Sequence, residues 1–240
     1  MEQLKIANQY KKILQKFVQG FKDIYQEELL SLILYGSAAS GEFVDRHSNL
    51  NVLVVLKNTD LETIKKSTNL VRKFKMIQTL FLTEDYIANS TDIFPIEFLD
   101  MQENYFVLYG KDVLKDIHVD IRNLRFQCEQ ELKVKLIKLR QTYLFLNDNM
   151  PALRSLLFIS CTSVLHILRN VLRIKGKKPA YLKSEVLKEL ASEFKIDIQI
   201  WDKILAAKNK QTKLNGKEIE QLFISFVKEL ESVVNIVDKL

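Results

Sequence analysis

The most reactive-looking constellation of the chain lies between Leu32 and Val55. An apolar run ends at Gly36-Ser37, and after the eleven residues Ala38 to Ser48 come Asn49 and Asn51, at the mouth of a second apolar run. A glycine at the end of a strand lets the backbone approach a polyphosphate, and a serine hydroxyl with the amides of the next turn donates to phosphate oxygens. Gly-Ser alone is an ordinary strand-ending turn, so the weight comes from its surroundings. The small residues Ala38, Ala39 and Ser40 follow, then a second glycine at Gly41, then Ser48 immediately before the two asparagines. The two-residue alternation of an extended chain sends Asn49 and Asn51 to one face of a sheet. Gly36, Ser37 and Ser48 are the candidate phosphate-binding residues. Asp45, in the connecting loop, and Glu97, further along, are carboxylates to weigh beside them; by residue type alone each is a solvated surface acid.

These residues need elements to hold them. Tyr10, Ile13, Leu14, Phe17, Val18, Phe21 and Ile24 keep largely to three-and-four spacing, which predicts an amphipathic helix over 2–26. Leu29–Tyr35, broken by one serine, and Asn51–Leu56, rich in valine, predict buried strands. Asp60 suits the cap of a helix from Leu61 to about Phe74, Met76–Leu82 returns to strand character, and Thr83 with Glu84 and Asp85 suits a short helix to about Asn89. Ile93–Asp100 has the apolar body of a further strand, and because Pro95 cannot donate to a ladder that strand belongs at an edge. On it Glu97 and Asp100 would face opposite ways. Tyr105–Tyr109 predicts a short strand closed by Gly110. Beyond Asp120 the period is helical, over Ile121–Leu146, Ala152 to about Ile174, roughly Ser184–Phe194, Gln199–Lys208 and Lys217–Lys239. Pro151 stands where it can open the second of these. The expected architecture is an α/β (α+β) domain with a mixed sheet over 1–117, followed by an all-α helical bundle over 118–240.

At 240 residues and 47% hydrophobic, the chain is long enough for two modest cores. Its 36 Lys and Arg against 30 Asp and Glu leave +6, compatible with an anionic ligand such as a nucleotide but too mild to point to nucleic acid, which is not an expected partner. Cys128 and Cys161 sit in apolar settings and predict core thiols of a reducing cytosol, not a disulfide framework or a zinc site. The start of the chain lacks the pattern of a signal peptide and no run of eighteen apolar residues occurs, so the expected location is cytoplasmic with no membrane partner. Weaker signals read plainly: Lys175, Lys177 and Lys178 as a solvated interhelical loop, Ser160 to Ser163 as a close-packing patch, Arg122, Arg125 and Arg140 as salt-bridging residues, and Trp201 as core.

The stretch Leu29–Asp100 resembles the active-site region of the DNA-polymerase-β-type nucleotidyltransferase superfamily, in which Gly-Ser is followed on the next strand by two aspartates one residue apart. A helical bundle after such a domain is similar to the layout of kanamycin-type and minimal nucleotidyltransferases. The resemblance implies a site in which the two aspartates and a third acid hold two Mg²⁺ ions that bridge a nucleoside triphosphate and activate the attacking hydroxyl. Here both aspartate positions are amides, Asn49 and Asn51, and Glu97 stands for the third acid or general base. The implied metal set, Asn49, Asn51 and Glu97, is therefore degenerate, and Mg²⁺ is implied only for an active enzyme. Asparagine keeps an oxygen ligand without its charge, and even outer-shell losses cost about 10- to 100-fold in metal affinity or activity. The expectation is a catalytically degenerate nucleotide- or partner-binding protein. Two others compete with it. One is an active transferase that joins a nucleoside monophosphate to a small-molecule or protein hydroxyl, using Glu97 with Asp45 or Asp100. The other is an antitoxin-like or regulatory homodimer, or a complex with a protein partner, formed through the helical domain. Ribonuclease chemistry is not expected, because Arg154 lies twelve residues before His166 and the bundle has no Arg-x4-6-His pair.

Overall fold

The computed structural model describes residues 4–41, 43, 49–146, 149–180, 182–194 and 196–240. The chain divides into two compact units, Met1–Asp120 and Ile121–Leu240. The first opens with α1 (Asn8–Tyr25), whose buried stripe of Tyr10, Leu14, Phe17, Phe21 and Tyr25 follows the helical period. A short 3-10 turn leads into β1 (Leu29–Tyr35), a single turn α2 (Ser37–Ser40) and β2 (Leu50–Leu56). Then come α3 (Leu61–Lys65), α4 (Thr68–Lys73), β3 (Ile77–Leu82), α5 (Glu84–Ala88), α6 (Pro95–Glu103) and β4 (Tyr105–Gly110). The four strands form one mixed sheet in the order β3-β2-β1-β4; β2 and β4 run antiparallel to β1, and β3 runs parallel to β2.

Two expectations are corrected here. Ile93–Asp100 is not a strand. Pro95 occupies the first turn of α6, where its missing N–H would have had no helical partner, and the buried positions Pro95, Ile96, Phe98 and Met101 follow a helical spacing. The helix expected from Leu61 to Phe74 is split in two. Between α3 and α4 the hydroxyls of Ser67 and Thr68 donate to the Ile64 and Lys65 carbonyls, an alternative to the helical ladder.

Each face of the sheet has its own core. On one, Leu32, Leu34, Val52 and Val54 meet Leu14, Phe17 and Phe21 of α1. On the other, Ile33, Leu53 and Val55 meet Ile87 of α5, Phe98 and Met101 of α6, and Leu114 of the segment after β4. That segment is pinned by the Gln102 side-chain amide, which donates to the Leu114 and Ile117 carbonyls at 3.0 Å each. Ser31, buried in the middle of β1, donates its hydroxyl to the Lys111 carbonyl at 2.7 Å, so the one polar interruption of that strand is satisfied. Gly110 closes β4 at φ 78°, and a Cβ there would stand 2.1 Å from the Leu30 carbonyl oxygen. Only glycine fits.

The second unit holds α7 (Ile121–Leu146), α8 (Met150–Ile174), α9 (Lys183–Phe194), α10 (Ile198–Lys208) and α11 (Gly216–Val237). Helix α8 is its centre, packed by the other four. It is long and apolar enough to cross a membrane by composition, but 61% of its most apolar stretch is buried among these helices, as in the core helix of a bundle. Helix α11 opens with a capping box in which Asn215 and Glu218 each accept a hydrogen bond from the other's backbone amide, at 3.0 and 2.7 Å. Trp201 is fully buried edge-on against Phe226. Cys128 and Cys161 are free and buried, and burial pushes the Cys161 thiol up to about 12.

Candidate functional site

The end of the sheet beside Gly36 is where the sequence signals meet. Strand register places Gln78 of β3, Asn51 of β2, Tyr35 of β1 and Tyr105 of β4 in a single row across the sheet. Partners directly opposite one another share a face, so the four side chains stand on the face covered further along by α5 and α6. Asn49 lies just ahead of β2, exposed, and the alternation of the chain puts it on the Asn51 side.

Gly36 joins this row to the turn that follows. It has φ 75° and ψ −149°, a conformation open to glycine, and a Cβ there would stand 3.2 Å from the Asn51 side-chain nitrogen. Its N–H donates to the Asn104 carbonyl at 3.2 Å, which ties the turn to the start of β4. Its carbonyl accepts from Ala39 and Ser40 N–H at 2.9 and 3.0 Å, so those two amides are spent inside α2. Ser37, partly buried, is the first residue of that turn.

Both tyrosines of the row stay protonated well above neutral pH. Burial raises Tyr35. Tyr105 is raised to about 12, first by burial and then by its hydrogen bond to Asp112 and the negative charge there. The Tyr105 hydroxyl donates to Asp112 Oδ2 at 2.9 Å, while Asp112 Oδ1 accepts from the Lys115 N–H at 3.1 Å. The Tyr105 proton thus anchors the segment after β4, leaving its oxygen as an acceptor.

Of the residues singled out in the sequence, the fold brings Gly36, Ser37, Asn49 and Asn51 to one sheet end. It does not bring Glu97 there as a strand residue. Glu97 is exposed in the first turn of α6, and Asp100, three residues on, lies on the same side of that helix instead of the opposite one. Ser48 and Asp45 lie outside the described residues. Gln78, Tyr35 and Tyr105 were not singled out, because the row they share with Asn51 is set by cross-strand register and by a bulge between Leu32 and Ile33 in the β1–β4 pairing. Arg125 and Arg140 make ion pairs with Glu129 and Glu231 at 2.8 and 2.5 Å.

This donor set does not fit a two-metal centre. Hard divalent cations are held by carboxylate charge, and the row offers two amides and two protonated phenols. Among the described residues no group of three His, Cys, Asp or Glu side chains could hold a metal ion. What the row does offer is neutral hydrogen-bonding capacity beside a glycine turn.

No protein-family model matches the chain, and no curated protein matches it. Among solved structures it is similar to spectinomycin adenyltransferase AAD(9) from Enterococcus faecialis, determined with ATP and spectinomycin. The TM-score is 0.60 at 11% sequence identity, and the match covers 92% of this chain and 99% of that one. The fold is therefore a nucleotidyltransferase fold, a mixed-sheet domain followed by a helical domain.

Proposed function

We propose that this protein uses a nucleotidyltransferase fold to bind a nucleotide at the Gly36–Asn51 end of the sheet without transferring the nucleotidyl group. The observation that carries this reading is the pairing of a retained glycine turn with a charge-free row: Gly36 lies against Asn51, and Gln78, Tyr35 and Tyr105 continue the row. Carboxylates beside a triphosphate repel it unless cations stand between them. Amides and phenols donate to phosphate oxygens directly and need no ion. In this reading Ser37, Asn49, Asn51 and Tyr35 contact phosphate, and binding is independent of Mg²⁺. The similar adenyltransferase structure, which contains ATP, supports a nucleotide as the ligand class.

Calorimetric titration with ATP, GTP, CTP and UTP tests the reading. The expected result is saturable heat with at least one nucleotide, equal in Mg²⁺ and in EDTA, and lost in Gly36→Ala. Absence of heat at millimolar ligand refutes nucleotide binding. Mg²⁺-dependent incorporation of labelled nucleotide into an acceptor, abolished by Glu97→Ala, would establish an active transferase instead.

A further inference from the structure

The row beside Gly36 can donate to phosphate oxygens, but its amides and phenols carry no positive charge. A nucleoside triphosphate bound there without metal needs a cation from the chain. The sheet itself does not supply one at this end. Lys57 and Lys111 stand at the other end of the strands, paired with Glu28 at 3.6 Å and Glu84 at 2.7 Å.

The segment ahead of α1 brings one. Leu4 and Ile6 are buried in the core that α1 shares with the sheet, and Lys5 between them is exposed. The two anchors fix the backbone on both sides of Lys5 and turn its side chain away from the core. That side chain crosses the end of α2. A Cβ at Gly41 would stand 3.2 Å from Lys5 Cδ, 3.4 Å from its Cβ and 3.9 Å from its Cγ, so consecutive stem carbons run over the glycine. Gly41 closes α2 in the left-handed conformation, at φ 86°, with its N–H donating to the Ser37 carbonyl. Having no side chain, it leaves the space that the lysine stem occupies. The ammonium is two bonds beyond Cδ, at the rim of the turn that Gly36 and Ser37 open. Among the described residues no carboxylate pairs with it.

We infer that Lys5 is the cation of the phosphate site and that it takes the distal phosphates of a nucleoside triphosphate. The inference rests on the nucleotide reading and adds to it a source of charge and a preference for phosphate-chain length. Gly41 lies one turn of helix, about 5.4 Å, beyond Ser37. A triphosphate whose first phosphate meets Gly36 and Asn51 spans that turn, and a monophosphate does not. An ammonium is a compact point charge with three donors, suited to the outer phosphate oxygens. It offsets their charge without the carboxylate ligands that Mg²⁺ requires.

Calorimetric titration in EDTA at matched ionic strength, with ATP, AMP and inorganic tripolyphosphate as probes, tests it. The natural chain should bind ATP more tightly than AMP. Lys5→Gln should weaken ATP and tripolyphosphate by about tenfold and change AMP affinity by less than about twofold, while Lys5→Arg keeps most of the ATP affinity. Lys5 is exposed, so Lys5→Gln should leave the thermal unfolding midpoint unchanged. ATP binding that is the same in Lys5→Gln, or ATP and AMP weakened equally, overturns the role of Lys5 and leaves the nucleotide reading standing. Tripolyphosphate binding that depends on Lys5, with no heat from ATP or AMP, overturns the nucleotide reading and keeps the Lys5 site. No binding of any probe overturns both.

Discussion

The two faces of the sheet are built from the same four strands, yet they do different work. The face toward α1 is apolar except for Thr79, which pairs with Val52, with Leu14, Phe17 and Phe21 buried against Leu32, Leu34, Val52 and Val54. The other face is apolar for most of its length but ends, beside Gly36, in the row of Gln78, Asn51, Tyr35 and Tyr105. Both faces bury an apolar core, and substitutions in the polar end of the second are expected to cost the fold little. That division lets the residues at the polar end vary while the fold of the sheet is kept.

Substitutions should separate the two faces. Phe17→Ala removes a ring that is wholly buried and packed on Phe21 and Phe74, and should cost about 3–5 kcal/mol in denaturant unfolding. Where that variant remains folded, its nucleotide affinity should be unchanged. Gly36→Ala should cost about 1–3 kcal/mol, because an alanine is strained at φ 75° and ψ −149°, and should abolish nucleotide binding by pushing into the Asn51 amide. Asn51→Ala should alter stability by less than about 1 kcal/mol and weaken binding by about tenfold or more. If Asn51→Ala proves as destabilising as Phe17→Ala, the row is a structural feature and the contrast between the faces fails.

The smallest expected effect is of pH. Both row tyrosines titrate above their ordinary value of 10.0. The contribution of their neutral form is fully present below that value and is lost only as pH rises through the raised ones. Nucleotide affinity should therefore be flat from pH 7 to 9, measured by titration in matched ionic strength. A fall across that window would mean that a phenol near the ligand ionises earlier than its burial allows.

Much of this division was legible in the chain itself. Apolar runs closed by Gly36 and Gly110 identified β1 and β4, a valine-rich run identified β2, and the three-and-four spacing of α1 picked out four of its buried residues, Tyr10, Leu14, Phe17 and Phe21, but not Tyr25. The Gly36, Ser37 and Asn51 grouping followed from the resemblance of this stretch to a nucleotidyltransferase active-site hairpin. Helix α6 was missed because Pro95 has two meanings, an edge-strand residue or the first turn of a helix, and the burial of Phe98 and Met101 that separates them is a tertiary fact. Because that segment is helix α6, Glu97 stands in a first helical turn and not on a strand beside β1. The strand next to β1 is β4, and the residue it brings level with Asn51 is Tyr105, a neutral phenol. No local pattern could have found it.

Phosphate held at this sheet end without metal is open to one calorimetric experiment. ATP, or whichever nucleotide binds, is titrated into the natural chain and into the Asn49→Asp, Asn51→Asp double variant, each in EDTA and in Mg²⁺. The natural chain should bind equally in both. The double variant, with two negative charges introduced, should bind about tenfold more weakly or worse in EDTA and be rescued by Mg²⁺. A natural chain that binds nucleotide only when Mg²⁺ is present would contradict it.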